Sequence, residues 1–322
     1  MSCIELSLLS TSEAVDWVCT LLASTNYTSD ISVNKYTRND ESRRQNNWTH
    51  TINFYLPNNT KANSRIQEIE NLLSPLHRTA LTSTLEAYVI AEKPNKLDTK
   101  HEPIQIGERF VVLNSDAVDL PNISEKIIIK LKTSLAFGSG LHPATILAIK
   151  LLERHVANNM NILDLGSGSG ILSVAAAKLG ANVLALDNDS VAVEATQDAI
   201  ARNGVTEKVR VMQASLGRGS EMGNWMGGAN TGNVSTISPN GSFDLIVANI
   251  LGRIHTTLAP DYRQVLYKEN QSSSILITSG YDKDYEHSIT EALSTQGFEL
   301  IDSERLDEWV ALTHILTPRA TL

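Results

Sequence analysis

The 322-residue chain has only two cysteines, Cys3 and Cys19, too few for a disulfide framework, so both read as small apolar side chains packed in a core. Nowhere does it reach the roughly 18 consecutive apolar residues that a membrane span needs. No lysine or arginine precedes Lys35, and no short apolar segment of signal-peptide type opens the sequence, so the expected compartment is the cytoplasm. Positive charge is also in deficit. A formal net charge of -9 and a pI near 5.4 argue against a protein held on nucleic acid by a general basic field. The histidines show no H-E-x-x-H or Cys/His ligand spacing, so no metal is expected; no serine sits in a G-x-S-x-G elbow, and no G-x-x-x-x-G-K-[ST] loop occurs. Internal repeats are absent as well.

What remains is a globular composition, 42% hydrophobic and 20% charged with a mean hydropathy of -0.13, in a length that suits two domains at about 100–200 residues each. Ile4–Leu9 reads as a strand, and Ala14, Val15, Val18, Leu21 and Leu22 fall on one helical face. Ile31–Thr37 and Thr49–Leu56 read as strands around a polar loop, Ile66, Ile69, Leu72 and Leu73 mark a second helix, and Leu85–Ala91 closes with a strand. This β-α-β-β-α-β order is that of a ferredoxin-like α+β unit, expected over residues 1–92 as a recognition domain. Residues 93–132 are expected to hold a charged linker and strands at Ile104–Leu113 and Lys126–Lys132 that bridge the two domains.

The second domain, expected over 133–322, alternates apolar strands with helices, as a mostly parallel sheet covered on both faces does. Five strands are expected, at Asn161–Leu165, Asn182–Leu186, Val209–Met212, Phe243–Ala248 and Ser274–Thr278. Phe298–Ser303 and Trp309–Leu316 flank a short charged turn and should close the fold as an antiparallel hairpin, giving a doubly wound, seven-stranded Rossmann-like sheet. A plain dinucleotide-binding sheet has no such hairpin. Leu216–Ser242, rich in Gly, Asn and Ser, is expected to be an irregular insertion.

The chemistry is concentrated in Asp164-Leu165-Gly166-Ser167-Gly168-Ser169-Gly170, a glycine loop that follows an apolar strand and opens a helix. Such a loop brings bare backbone close to a ligand and offers helix-start N–H groups to anionic parts of it. The third glycine of the dinucleotide fingerprint is missing, because Ile171 stands in its place; the spacing is D-x-G-x-G-x-G. The next strand ends in Asp187, whose carboxylate can accept both hydroxyls of a ribose and would repel a phosphorylated one. Asp189, directly before the following helix, reads as its cap. The fourth strand ends in Asn249, a neutral polar group at the edge where open α/β sheets bind ligands. Such a group suits methyl transfer to an uncharged amine, which needs alignment more than a strong base.

Three blocks together resemble the ribosomal protein L11 methyltransferase family (PrmA): Ala136-Phe137-Gly138-Ser139-Gly140-Leu141-His142-Pro143-Ala144-Thr145, the glycine loop, and Val247-Ala248-Asn249-Ile250-Leu251. Pro103-Ile104-Gln105-Ile106-Gly107 and Glu308-Trp309 extend the likeness. The resemblance implies S-adenosylmethionine as cofactor, with contacts at Thr145, Asp164, Gly166, Gly168, Gly170, Asp187 and Asn249. It also implies that Phe137 lines the site beside Asn249 near the methyl donor. It further implies a protein substrate, ribosomal in the family, methylated on lysine side chains or an N-terminal amine. A monomer with no nucleic-acid and no membrane partner is expected. The chain departs from the family pattern at Lys132-Thr133-Ser134-Leu135, Ser139, Leu141 and Ala144. A methyltransferase of the same kind acting on another protein or on a small molecule, and a ribosome-docking module with a vestigial donor pocket, stay open as alternatives. His142 is expected to fix the turn before the helix that carries Thr145.

Overall fold

The computed structural model describes residues 2–11, 14–24, 31–36, 48–91, 103–113, 125–131, 142–217, 235–237, 241–266 and 273–316. Two compact units divide it near residue 100. In the first, β1 (Cys3–Ser10), α1 (Ala14–Ser24), β2 (Ile31–Lys35), β3 (His50–Pro57), α2 (Ala62–Arg78) and β4 (Glu86–Ile90) follow the order read from the sequence. The strands form a four-stranded sheet in the order β2-β3-β1-β4, with every neighbouring pair antiparallel. Alternation along β1 and β3 buries Leu6, Leu8, Ile52, Phe54 and Leu56, and Ile69, Leu73 and Leu76 of α2 are buried as well.

The second unit opens with a small sheet. The stretch expected as one strand over Ile104–Leu113 is instead a hairpin of β5 (Ile104–Ile106) and β6 (Phe110–Leu113), because Gly107 takes a φ of +61° and turns the chain. β7 (Ile127–Lys130) adds in parallel. These strands are not detached from the large sheet: Ile106, Phe110, Val112, Ile129 and Leu131 enter the same buried cluster as its helices. The charged linker expected ahead of Ile104 lies outside the described residues.

The large sheet is built from β8 (Asn161–Leu165), β9 (Asn182–Asp187), β10 (Val209–Leu216), β11 (Ser235–Ile237), β12 (Leu245–Asn249), β13 (Ser274–Asp282), β14 (Phe298–Leu306) and β15 (Trp309–Leu316). They run in the order β11-β10-β9-β8-β12-β13-β15-β14, parallel as far as β13 and antiparallel through the terminal hairpin. The sheet therefore has eight strands, not the expected seven. The extra one, β11, lies within the stretch read as an irregular insertion, and three of its residues pair with the end of β10. Its Ser-Thr-Ile sequence is too short to carry a periodic signal.

The helices are α3 (Pro143–His155), α4 (Ile171–Lys178), α5 (Ser190–Arg202), α6 (Gly252–Leu266) and α7 (Lys283–Thr295). Central strands alternate between two cores. Ile162, Leu245 and Val247 join α3 and α4 on one face, whereas Leu163, Leu165, Ile246 and Ala248 join α6 and α7 on the other. Burial on both faces is why these strands read as nearly continuous apolar runs, interrupted in β8 by Asp164. From β8 the chain first steps to β9 on one side and later to β12 on the other, which leaves a crevice at the carboxyl ends of β8 and β12.

Candidate active site

Register brings the expected residues to one level. Leu165 pairs with Leu186 of β9 and with Ala248 of β12, so Gly166, Asp187 and Asn249 each stand one residue past that row. Asn249 in turn pairs with Ser279 of β13.

The glycine loop is fixed from both sides. The N–H groups of Gly166 and Ser167 both donate to the Leu186 carbonyl, at 2.9 and 3.0 Å. Gly166, Gly168 and Gly170 have φ of +77°, +54° and +78°, the left-handed region that disfavours side chains. Gly170 is also needed for space, since a Cβ there would lie 2.9 Å from Thr196 Cα of α5. Thr196, buried, donates to the Gly168 carbonyl at 3.1 Å and pairs with Ser167 Oγ at 2.9 Å.

Asp187 takes part in this loop as well as facing it. Its Oδ2 accepts from Gly168 N–H at 2.9 Å and its Oδ1 from Asp189 N–H at 3.0 Å, which leaves further lone-pair directions for hydroxyl donors. Burial pushes its carboxyl up to about 6, although part of the residue still meets solvent. Asp189 caps α5 as expected, accepting from Val191 N–H at 2.9 Å.

Asp164 lies wholly inside β8. Its Oδ2 accepts from Ser173 Oγ at 2.5 Å, whereas Oδ1 has no hydrogen-bond partner among the described residues. Desolvation, with the Asp187 charge adding to it, pushes Asp164 up to about 7.

Asn249 and Thr145 meet across the crevice. Asn249 Nδ2 donates to Thr145 Oγ1 at 3.2 Å, which leaves the amide oxygen of Asn249 as an acceptor. Thr145 is buried in the first turn of α3. His142 caps that helix, its Nδ1 accepting from Ala144 N–H at 3.2 Å, and its ring meets Trp309 edge-on at 4.3 Å. The turn-fixing reading of His142 thus stands on geometry. Phe137, expected beside Asn249, lies outside the described residues.

Several supporting groups were not singled out from the sequence. Beyond Thr196 and Ser173, the turn after Asn249 is held by β13: Ile250 N–H donates to the Ser279 carbonyl at 3.1 Å, and Ser279 Oγ donates to the Ala144 carbonyl at 2.8 Å. His255 of α6 is wholly buried and held neutral, burial lowering its pKa to about 4. Its Nε2–H reaches the Ser279 carbonyl at 2.9 Å and the Ile250 carbonyl at 3.2 Å, while Nδ1 accepts from Tyr262 Oη at 3.1 Å. Gly280, at φ +93°, packs so closely that a Cβ would stand 2.4 Å from the Ile250 carbonyl oxygen. A Ser-Gly pair late in an apolar strand was the only sequence trace of this arrangement.

The loop lacks the fingerprint of a dinucleotide site, since Ile171 stands where its third glycine would be. The sequence profile of the ribosomal protein L11 methyltransferase (PrmA) family matches residues 2–316. The chain belongs to that family. A ribosomal protein L11 methyltransferase of Chloroflexus aurantiacus is 34% identical over 94% of this chain and 94% of its own. One of Herpetosiphon aurantiacus is 34% identical over 98% of this chain and 99% of its own. The crystal structure of a ribosomal protein L11 methylase from Lactobacillus delbrueckii subsp. bulgaricus superposes with a TM-score of 0.54 at 29% identity, covering 66% of this chain and 97% of that one. The chain is therefore a methyltransferase with an α/β methyltransferase fold, and among its described residues no helix is long and apolar enough to cross a membrane.

Proposed function

We propose that this methyltransferase transfers methyl groups from S-adenosylmethionine to amino groups of ribosomal protein L11, on lysine side chains or the N-terminal amine. The observation that carries the reading is the common level of Gly166, Asp187 and Asn249 at the switch point of the sheet, in a chain of this family.

The residues present fit the donor. Two carboxylates that burial raises in pKa face a loop of left-handed glycines, and one of their oxygens is unpaired. A cationic ligand satisfies such groups, and the donor carries a sulfonium and an ammonium. When bound, the donor supplies an electrophilic methyl group whose transfer to nitrogen turns the sulfonium into a thioether, while the alkylated amine releases its proton.

The chain's own contribution is placement. Asp187 accepts the ribose hydroxyls, as its position at the end of the second strand supports. The methionine end lies near the Gly166–Gly170 loop, with the Asp164 carboxylate as countercharge to its ammonium. Asn249, anchored through Nδ2 on Thr145, offers its amide oxygen to an N–H of the incoming amine and so turns the lone pair toward the methyl carbon. By the family resemblance, Phe137 is assigned to the lining near the methyl donor. Orientation of this kind can remove roughly 7–11 kcal/mol of barrier, and exclusion of water favours the neutral, nucleophilic form of the lysine.

The first unit, residues 1–92, is read as a ferredoxin-like domain that recognises the protein substrate. Its β-α-β-β-α-β order with sheet order β2-β3-β1-β4 supports that reading. Residues 93–132 link it to the donor-binding domain at 133–322. The enzyme is read as a cytoplasmic monomer; its net charge of -9 supports the further reading that it has no nucleic-acid partner. Radiolabelled donor added with the enzyme to extract from a strain lacking it tests the proposal: label should enter a ribosomal protein, and label confined to small molecules would overturn it.

A further inference from the structure

The first unit contains a cavity of about 460 Å³ whose lining includes Leu9, Tyr36, Trp48, His77, Thr82 and Glu86, none of which belongs to the donor site. Tyr36 follows β2 and Trp48 precedes β3. The backbone bond from Tyr36 N–H to the Thr49 carbonyl, at 2.8 Å, ties the two aromatic positions to one end of the hairpin. Glu86 opens β4, and its Oε2 accepts from Tyr88 Oη at 2.7 Å. No lysine or arginine lines the cavity, and among the described residues no cation pairs with Glu86. Thr82, 1% exposed, keeps a hydroxyl with no hydrogen-bond partner. Through His77 and Ala80 the cavity also abuts the last turn of α2, the negative end of that helix.

Two aromatic side chains, a carboxylate and a helix C-terminus around one cavity favour a cationic ligand. A ring quadrupole attracts cations, alkylated ammonium groups above all, and a carboxylate adds the formal countercharge. A neutral or anionic side chain gains nothing from either. The volume falls within the range of small-ligand pockets and admits the end of one long side chain.

We infer that this cavity takes the ammonium head of a lysine side chain of the protein substrate, methylated or unmethylated, and so holds the substrate at a point separate from the reacting amine. The inference rests on the reading of the enzyme as a protein-amine methyltransferase. Tyr36 and Trp48 supply the aromatic faces and Glu86 the charge. The site contributes to affinity, not to the chemical step.

The test uses the full-length chain and three short peptides that differ only in a central lysine, trimethyllysine or acetyl-lysine, titrated by calorimetry without donor. The lysine and trimethyllysine peptides should bind and the neutral acetylated one should not; the ratio of the first two tells which form is preferred. Glu86→Gln and Trp48→Ala should each weaken peptide binding by about 3–30-fold, whereas Trp48→Phe should keep most of it and guards against a folding defect. In steady-state methylation, Glu86→Gln should raise KM for the protein substrate by a similar factor with kcat and donor affinity unchanged. Equal binding of the acetylated peptide, or an unchanged peptide affinity and KM in Glu86→Gln, overturns the inference. Failure of the wild type to label any protein overturns the functional reading instead, and is told apart because peptide binding is measured without donor.

Discussion

Gly280→Ala should disable the site from the far side of the strand that carries no expected catalytic residue. Gly280 has a φ of +93°, and its missing side chain leaves room for the backbone of Ile250, the residue after Asn249. An alanine Cβ would lie 2.4 Å from the Ile250 oxygen, 2.7 Å from its nitrogen and 2.9 Å from its carbonyl carbon. These are main-chain atoms and cannot swing aside as a side-chain end can. Ordinary contact begins near 3.4 Å, so the turn must withdraw by about an ångström. The positive φ costs an alanine about 1–2 kcal/mol, and forced backbone movement of this kind about 1–3 kcal/mol more. Gly204 provides the control: it also has a positive φ, +65°, yet nothing lies within 4 Å of its would-be Cβ, so Gly204→Ala should lose only the first contribution. Urea denaturation should rank the two variants by that difference. At saturating donor, a displacement of about an ångström at Asn249 should lower the single-turnover rate by about 100-fold in Gly280→Ala and leave Gly204→Ala near wild type. Equal destabilisation of the two, or a Gly280→Ala rate within a few-fold of wild type, would refute the claim that β13 positions Asn249.

Asn249→Ala should itself slow single-turnover methylation by about 100-fold or more even with donor saturating, because a misaligned amine loses rate directly; an unchanged rate would reduce Asn249 to a donor contact. Asp187→Ala removes charge-assisted hydrogen bonds worth roughly 1.5–3 kcal/mol and should weaken donor binding by about 10–100-fold in calorimetry. The same titration followed with pH should show affinity rising as Asp187 and Asp164 ionise, through about 6 and about 7, and then levelling. Without donor the sign is opposite: both folded pKa values lie above the ordinary carboxylate value of about 4, so the stability these carboxyls contribute when protonated is lost as pH rises from about 4 to 7. A chain beginning near Glu102 should fold and bind donor, since the second unit has its own cores, yet lose nearly all methylation of the protein substrate. Undiminished kcat/KM in that chain would remove the recognition role of the first unit.

The order of elements was legible because central parallel strands such as Ile162–Leu165 and Leu245–Ala248 are buried on both faces, and their apolar runs are bounded by glycine, aspartate or asparagine. The D-x-G-x-G-x-G spacing, Asp187 and Asn249 were legible for a related reason: each sits at a strand end, where the pattern breaks. What the sequence could not convey is which distant groups support them. Thr196 lies on α5, 28 residues from the Gly168 carbonyl it bonds, and His255 reads from its neighbours as an ordinary helical position. Pairing across the sheet, a property of register and not of local pattern, brings Ser279 and Gly280 against Asn249 and Ile250. The hairpin at Gly107 was hidden because both its arms are apolar, and β11 because three residues have no period to detect.

The most direct test of the account incubates the purified enzyme with S-adenosylmethionine and unmodified ribosomal protein L11 and follows the intact mass of L11, with fragment analysis to place each gain. The account predicts successive whole-methyl increments confined to lysine side chains or the N-terminal amine, absent when Asn249→Ala replaces the wild type over a single-turnover period. An L11 mass that stays constant while the enzyme demonstrably binds the donor would contradict it.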